Sequence, residues 1–160
     1  MRSTLLGCLF LFVIGCSSDH VSIAARTDEA RKIGLDFVIA LGQEDLAAAG
    51  SLAAAPLQFR STRVDKDEEI AALLKVQGPR VARLAKRYTQ AESFSRSDLE
   101  AGRWPRERTL TGDEAARVAG SLGVSVGGYL VRVYGGNDAG CLLAVNPVGA
   151  DLRVQAVHDL

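Results

Sequence analysis

The chain predicts an α+β fold, with N-terminal helices packed on a curved antiparallel sheet that ends in a three-stranded meander. Three observations carry this. Apolar residues recur at helical spacing through the first half, they alternate at strand spacing in the last third, and Gly- or Pro-containing breaks separate the final strands. Helices first and strands last is the order that puts helices on one face of an antiparallel sheet. At 160 residues, 48% apolar and 24% charged, the chain fits one compact domain.

The elements follow in order. Residues 27–41 place Ala30, Ile33, Phe37 and Leu41 on one helical face, with Asp28 and Glu29 in the first turn and Gly42 as a stop. A second, alanine-rich helix over 45–54 is closed by Pro56. Leu57-Gln58-Phe59 alternates and predicts a short strand ending near Val64. Asp65 and Glu68 have capping-box spacing ahead of a face made by Ile70, Leu73, Leu74 and Gln77, and Gly78-Pro79 is expected to end that helix. Residues 79–87 suggest a further turn or two. A weak strand over 88–95 follows, then a polar, turn-rich stretch over 96–108 around Trp104. Thr111 and Glu114 repeat the capping-box spacing and open a helix reaching Gly123. Strands are expected over 126–134, 140–146 and 152–157. Alternation puts Tyr129, Val131, Val133, Cys141, Leu143, Val145, Leu152, Val154 and Ala156 on one face. Arg132, Asn146, Arg153 and Gln155 fall on the other, wetter face.

The amino terminus has a different character. Arg2 precedes an apolar stretch of ten residues, Leu5 to Ile14, which as a helix rises about 15 Å, half the thickness of a bilayer core. It is too short to span and matches an export signal. Val13-Ile14-Gly15-Cys16 resembles the lipobox of bacterial lipoproteins. The resemblance implies a signal peptide over 1–15, cleavage before Cys16, and a diacylglycerol in thioether linkage on that cysteine. A thiolate is the nucleophile such alkylation needs, and two or three acyl chains hold a protein on a membrane where one does not. Residues 16–26 then read as the lipidated cysteine and a tether, and 27–160 as a single domain. The implied location is exported and membrane-anchored. Ser17 leans this toward the outer membrane facing the periplasm, with the cell membrane as the alternative.

Processing changes the arithmetic. Cys8 leaves with the signal and Cys16 carries lipid, so Cys141 is the one thiol left and neither a disulfide nor a multi-cysteine metal site can form from it. The mature chain has 145 residues, with 18 basic side chains against 19 acidic. That balance argues against nucleic acid as a partner. It conceals a basic segment over 80–108 (Arg80, Arg83, Lys86, Arg87, Arg96, Arg103, Arg106 and Arg108) with four acidic residues and Trp104. Such a segment fits lipid head groups, an anionic polymer or a partner protein, or else a solvated surface with a packed tryptophan.

The helix Ala-Arg-Lys-Ile-Gly-Leu-Asp-Phe-Val-Ile-Ala-Leu, then Gln43-Glu44-Asp45-Leu46, Ala55-Pro56-Leu57-Gln58-Phe59 and the terminal Val154-Gln155-Ala156-Val157-His158-Asp159 resemble the nuclear transport factor two-like superfamily. The resemblance implies a cone in which N-terminal helices wrap a curved sheet around a pocket. Its members include isomerases, cyclases, dehydratases, carriers and structural modules, so shape does not settle activity. The Asp and Tyr set of the ketosteroid-isomerase branch has no counterpart that can be placed here, and no cofactor is implied.

Candidate catalytic residues are Cys141, His158 and Tyr129. With Cys141 opposite about Ala156, His158 becomes its diagonal neighbour, and a Cys–His pair can form an activated thiolate. The bland alternative is a buried structural cysteine beside a frayed terminus. Tyr129 and Tyr134 could offer hydroxyls to a ligand or could simply pack. The expectation is a lipid-anchored, non-enzymatic module that binds a small hydrophobic ligand or an envelope protein. The alternative is a small-molecule isomerase or hydrolase working in the cone pocket.

Overall fold

The computed structural model describes residues 17–85, 87–105, 110–136 and 140–159. Helix α1 (Ser17–Gly42) and the short α2 (Leu46–Ser51) lead into a hairpin of β1 (Ala53–Phe59) and β2 (Thr62–Val64). Helix α3 (Asp67–Ala85) and β3 (Tyr88–Ser95) follow, then α4 (Arg96–Glu100) and α5 (Gly112–Ser121). The meander β4 (Tyr129–Gly135), β5 (Gly140–Val148) and β6 (Asp151–Asp159) completes the fold. The α+β class and the closing meander are as expected.

The six strands form one open sheet in the order β2-β1-β6-β5-β4-β3. Every neighbouring pair is antiparallel except β1 and β6, which run parallel, so the sheet is mixed. The N-terminal helices cover its front face. There Phe37, Leu41, Leu57, Phe59, Leu74, Val131, Leu143 and Val154 are sealed into one core. Each such side chain removed from water contributes about 1.5–3 kcal/mol.

Several boundaries differ from the sequence reading, each for a physical reason. Helix α1 starts at Ser17 and runs through the stretch read as tether, although from residue 22 onward no described side chain is fully buried before Ala30. Helix α2 is shorter than expected because Ala53 and Ala54 already belong to β1. Helix α3 continues through Pro79. Proline removes one hydrogen bond on the exposed side of the helix, while Val81 and Ala82 beyond it are buried, so packing outweighs the break. Gly78 meanwhile lets α3 approach α1, since a Cβ there would lie 3.4 Å from Leu41 Cδ2.

Neither expected capping box forms. Thr111 is the N-cap of α5 without a side-chain bond, and Asp65 instead accepts from Arg63. A complete box does form at α4, where the Ser95 hydroxyl accepts from Asp98 N–H and the Asp98 carboxylate accepts from Ser95 N–H.

The back face is also covered, so its wet character holds only in part. Helices α4 and α5 lie over it, and Leu99, Trp104, Ala115, Ala119, Leu130, Leu142, Ala144 and Ala156 form a second core. The Trp104 indole donates to Leu99 O at 2.8 Å. Arg96 ties this layer together, donating to Val124 O at 2.6 Å and Ala116 O at 3.0 Å while pairing with Glu100 at 2.9 Å.

Candidate functional site

The front interior is where a cone-shaped fold would hold a ligand, and side chains occupy it. Helix α1 rests directly on β4: a Cβ built on Gly34 would stand 2.7 Å from Val131 Cγ1 and 3.2 Å from Leu143 Cδ1. Tyr129 joins this core as a buried packing residue, and Tyr134 lies under the Arg132 guanidinium, 4.5 Å from ring centroid to Cζ.

Cys141 and His158 do not meet. Cys141 points into the front core and pairs in register with Asp159, whereas His158 pairs with Leu142, whose side chain belongs to the back core. The cause is a bulge in β6. Ala144 faces Ala156 but Val145 faces Val154, which leaves Gln155 as the extra residue. An extra residue reverses the alternation beyond it. Ala156 and His158 therefore lie on the back face, and Val157 takes the front position expected for Ala156.

The His158 ring is instead in hydrogen-bond contact with Leu122 O at 3.0 Å. Burial pushes the Cys141 thiol up to about 12 from an ordinary 9.0. Such a thiol stays protonated and is a poor nucleophile. Tyr88, beside it in the same core, is also raised, first by burial and then by the charge Cys141 would carry.

Polar side chains gather on the back face around Asn146. Its amide oxygen accepts from Ser125 N–H at 2.9 Å, and its nitrogen donates to Gly123 O at 2.8 Å and Gln155 Oε1 at 3.1 Å. Gln155 in turn donates to Ala55 O at 3.2 Å, so the bulge residue links β6 to β1. Asn146 is only 2% exposed, and these bonds satisfy its amide oxygen and nitrogen.

The outer surface offers more room. A groove of about 630 Å³ runs between α1 and the β3–β4 edge, bordered by Asp28, Arg31, Lys32, Leu35, Gln90 and Tyr134. Its rim charges form exposed pairs, Arg31–Asp28 at 3.0 Å and Lys32–Asp36 at 3.4 Å. Strand β3 ends the sheet, and no described strand pairs with its outer edge. Within the basic segment Arg96 is turned inward and Arg103 pairs with Asp98, while Lys86, Arg106 and Arg108 lie outside the described residues.

The lipobox and Cys16 also lie outside the described residues. No described helix is long and apolar enough to cross a membrane. No family model matches the chain, and no curated protein or solved structure matches it at a significant level.

Two surface residues escaped the sequence reading. Alternation puts Val126 in a strand, but β4 begins only at Tyr129, and Val126 stands exposed in the loop before it. Gly127-Gly128 directly after it was the available signal. Ile23 falls in the expected tether and instead lies exposed on α1.

Proposed function

We propose that this chain is a lipid-anchored envelope module that works by surface contact with a protein partner, without chemistry in an internal pocket. One observation carries the reading. Where α1 crosses the sheet, Gly34 has no room for a methyl group against Val131, and Phe37, Leu41 and Leu143 pack in the same core. Binding surface is left on the outside, where the groove along α1 ends at an open sheet edge of the kind that accepts an added strand.

The lipobox supports attachment through acyl chains on Cys16, on the outer membrane facing the periplasm. The helices-first, meander-last order supports kinship with the nuclear transport factor two-like superfamily.

Two measurements test this. Metabolic labelling with a fatty-acid probe marks the wild-type chain and not Cys16→Ser; label surviving in the variant refutes the anchor. An environment-sensitive apolar dye stays dim with the folded protein. Saturable brightening that survives Ile23→Ser and Val126→Ser, which remove exposed apolar side chains, would return the interior to a ligand-carrying or catalytic role.

A further inference from the structure

Five large apolar side chains are exposed among the described residues, and three of them collect at one end of the molecule. Ile23 (57% exposed) and Val126 (87%) border a shared groove of about 330 Å³, together with Ser95, Gly127, Gly128 and Tyr129. A Cβ on Gly127 would lie 3.7 Å from Pro147 Cγ, which brings the 125–128 loop beside the end of β5 and its terminal Val148 (38%). Arg26 donates to Ala150 O at 3.1 Å, fastening the same part of α1 to the turn after Val148.

Ser17, the first described residue of α1, follows Cys16 directly in the chain. Ile23 stands six residues after Ser17 on a continuous helix, a rise of about 9 Å. The other end of α1 is far away: Leu41 lies eighteen residues, about 27 Å, beyond Ile23. Gly78 of α3 packs against Leu41, so the exposed Val76 (71%) belongs to that distal end.

We propose that the end carrying Ile23, Val126 and Val148 docks on the surface of the bilayer that holds the Cys16 acyl chains. The inference rests on the anchor reading above. Three aliphatic side chains are a weak membrane contact for a free protein, but attachment in cis converts their insertion into an intramolecular step at an effective concentration of about millimolar. Docking sets the orientation. The Val126 loop lies at the head groups, and the Leu41 end of α1, with α3 packed on it, stands away from them.

The full chain, produced with its signal and reconstituted in phosphatidylethanolamine–phosphatidylglycerol vesicles, is the material for the test. A nitrobenzoxadiazole fluorophore is placed on Val126→Cys and, separately, on Val76→Cys. Both positions are exposed, and Cys141 is buried away from the reagent. Lipids spin-labelled high in the acyl chain should quench the position-126 probe at least threefold more than the position-76 probe. Mass spectrometry of the same samples reports acylation. Acylated protein with equal quenching at the two positions overturns the docking face alone. Protein without acyl chains on Cys16 overturns the anchor and the docking face together.

Discussion

Gly34 on α1 and Val131 on β4 touch so closely that a Cβ at position 34 would stand 2.7 Å from the valine Cγ1. Helix and sheet are in backbone-to-side-chain contact there. Gly34→Ala should destabilise the fold by about 1–3 kcal/mol through overpacking, even though alanine is the better helix former. Val131→Ala in the same chain should recover part of the loss, with a coupling of about 1 kcal/mol in a urea double-mutant cycle. An unchanged or raised midpoint for Gly34→Ala alone would mean the interior yields.

Cys141 makes stability depend on alkaline pH. Its folded value, pushed up to about 12, lies above the ordinary 9.0, so the folded state holds its proton longer than the unfolded chain does. That contribution is fully present below pH 9.0 and is lost as pH rises toward about 12. Urea midpoints should therefore fall between neutral pH and about pH 10.5, and Cys141→Ala should flatten the slope. Tyr88 shifts in the same direction, so the double variant with Tyr88→Phe should be flatter still. A slope identical in wild type and Cys141→Ala would contradict the sealed thiol.

Arg96 ties α4 to α5 and the residues after it through Ala116 O and Val124 O, while its Nε donates to Glu100 within α4. Arg96→Ala removes the side-chain donor to Val124 O and the extra one to the helical Ala116 O in a partly buried layer, and should cost about 2 kcal/mol. Lysine cannot reach two carbonyls with a planar fork, so Arg96→Lys should restore less than half of it. Hydrogen exchange should quicken in α5 first. Uniform acceleration across the sheet would show that the layer does not unfold separately.

Asn146 both accepts and donates, and Asn146→Asp separates the two roles. The carboxylate can still accept from Ser125 N–H but faces Gly123 O and Gln155 Oε1 without a proton to offer. The variant should lose about 2 kcal/mol or more at neutral pH and regain part of it as the carboxyl protonates in acid. Equal destabilisation of Asn146→Asp and Asn146→Ala at every pH would show that the donated bonds carry no weight.

Much of the architecture was legible because periodicity reports burial. The spacing of Phe37 and Leu41, and the alternation of Val131, Val133, Leu143 and Val145, place these residues in the front core where the pattern puts them. What escaped depends on long-range packing. The β6 bulge at Gln155 leaves no mark in an alternating sequence, yet it moves His158 to the other face and dissolves the pair with Cys141. Pro79 reads locally as a stop, while burial of Val81 and Ala82 is decided by helix contacts distant in sequence. Arg96 and Trp104 look like a polar loop until α5 is laid over them.

The position of β6 bears on when this chain can fold. It enters between β1 and β5, and the Gln155–Ala55 bond spans 100 residues, so the first hairpin stays unattached to the sheet until residues 151–159 arrive. Non-local closure of this kind is slow. Strands β3, β4 and β5 can pair without it, so the sheet is built in two parts, and β6 is the seam that joins the early hairpin to the late meander.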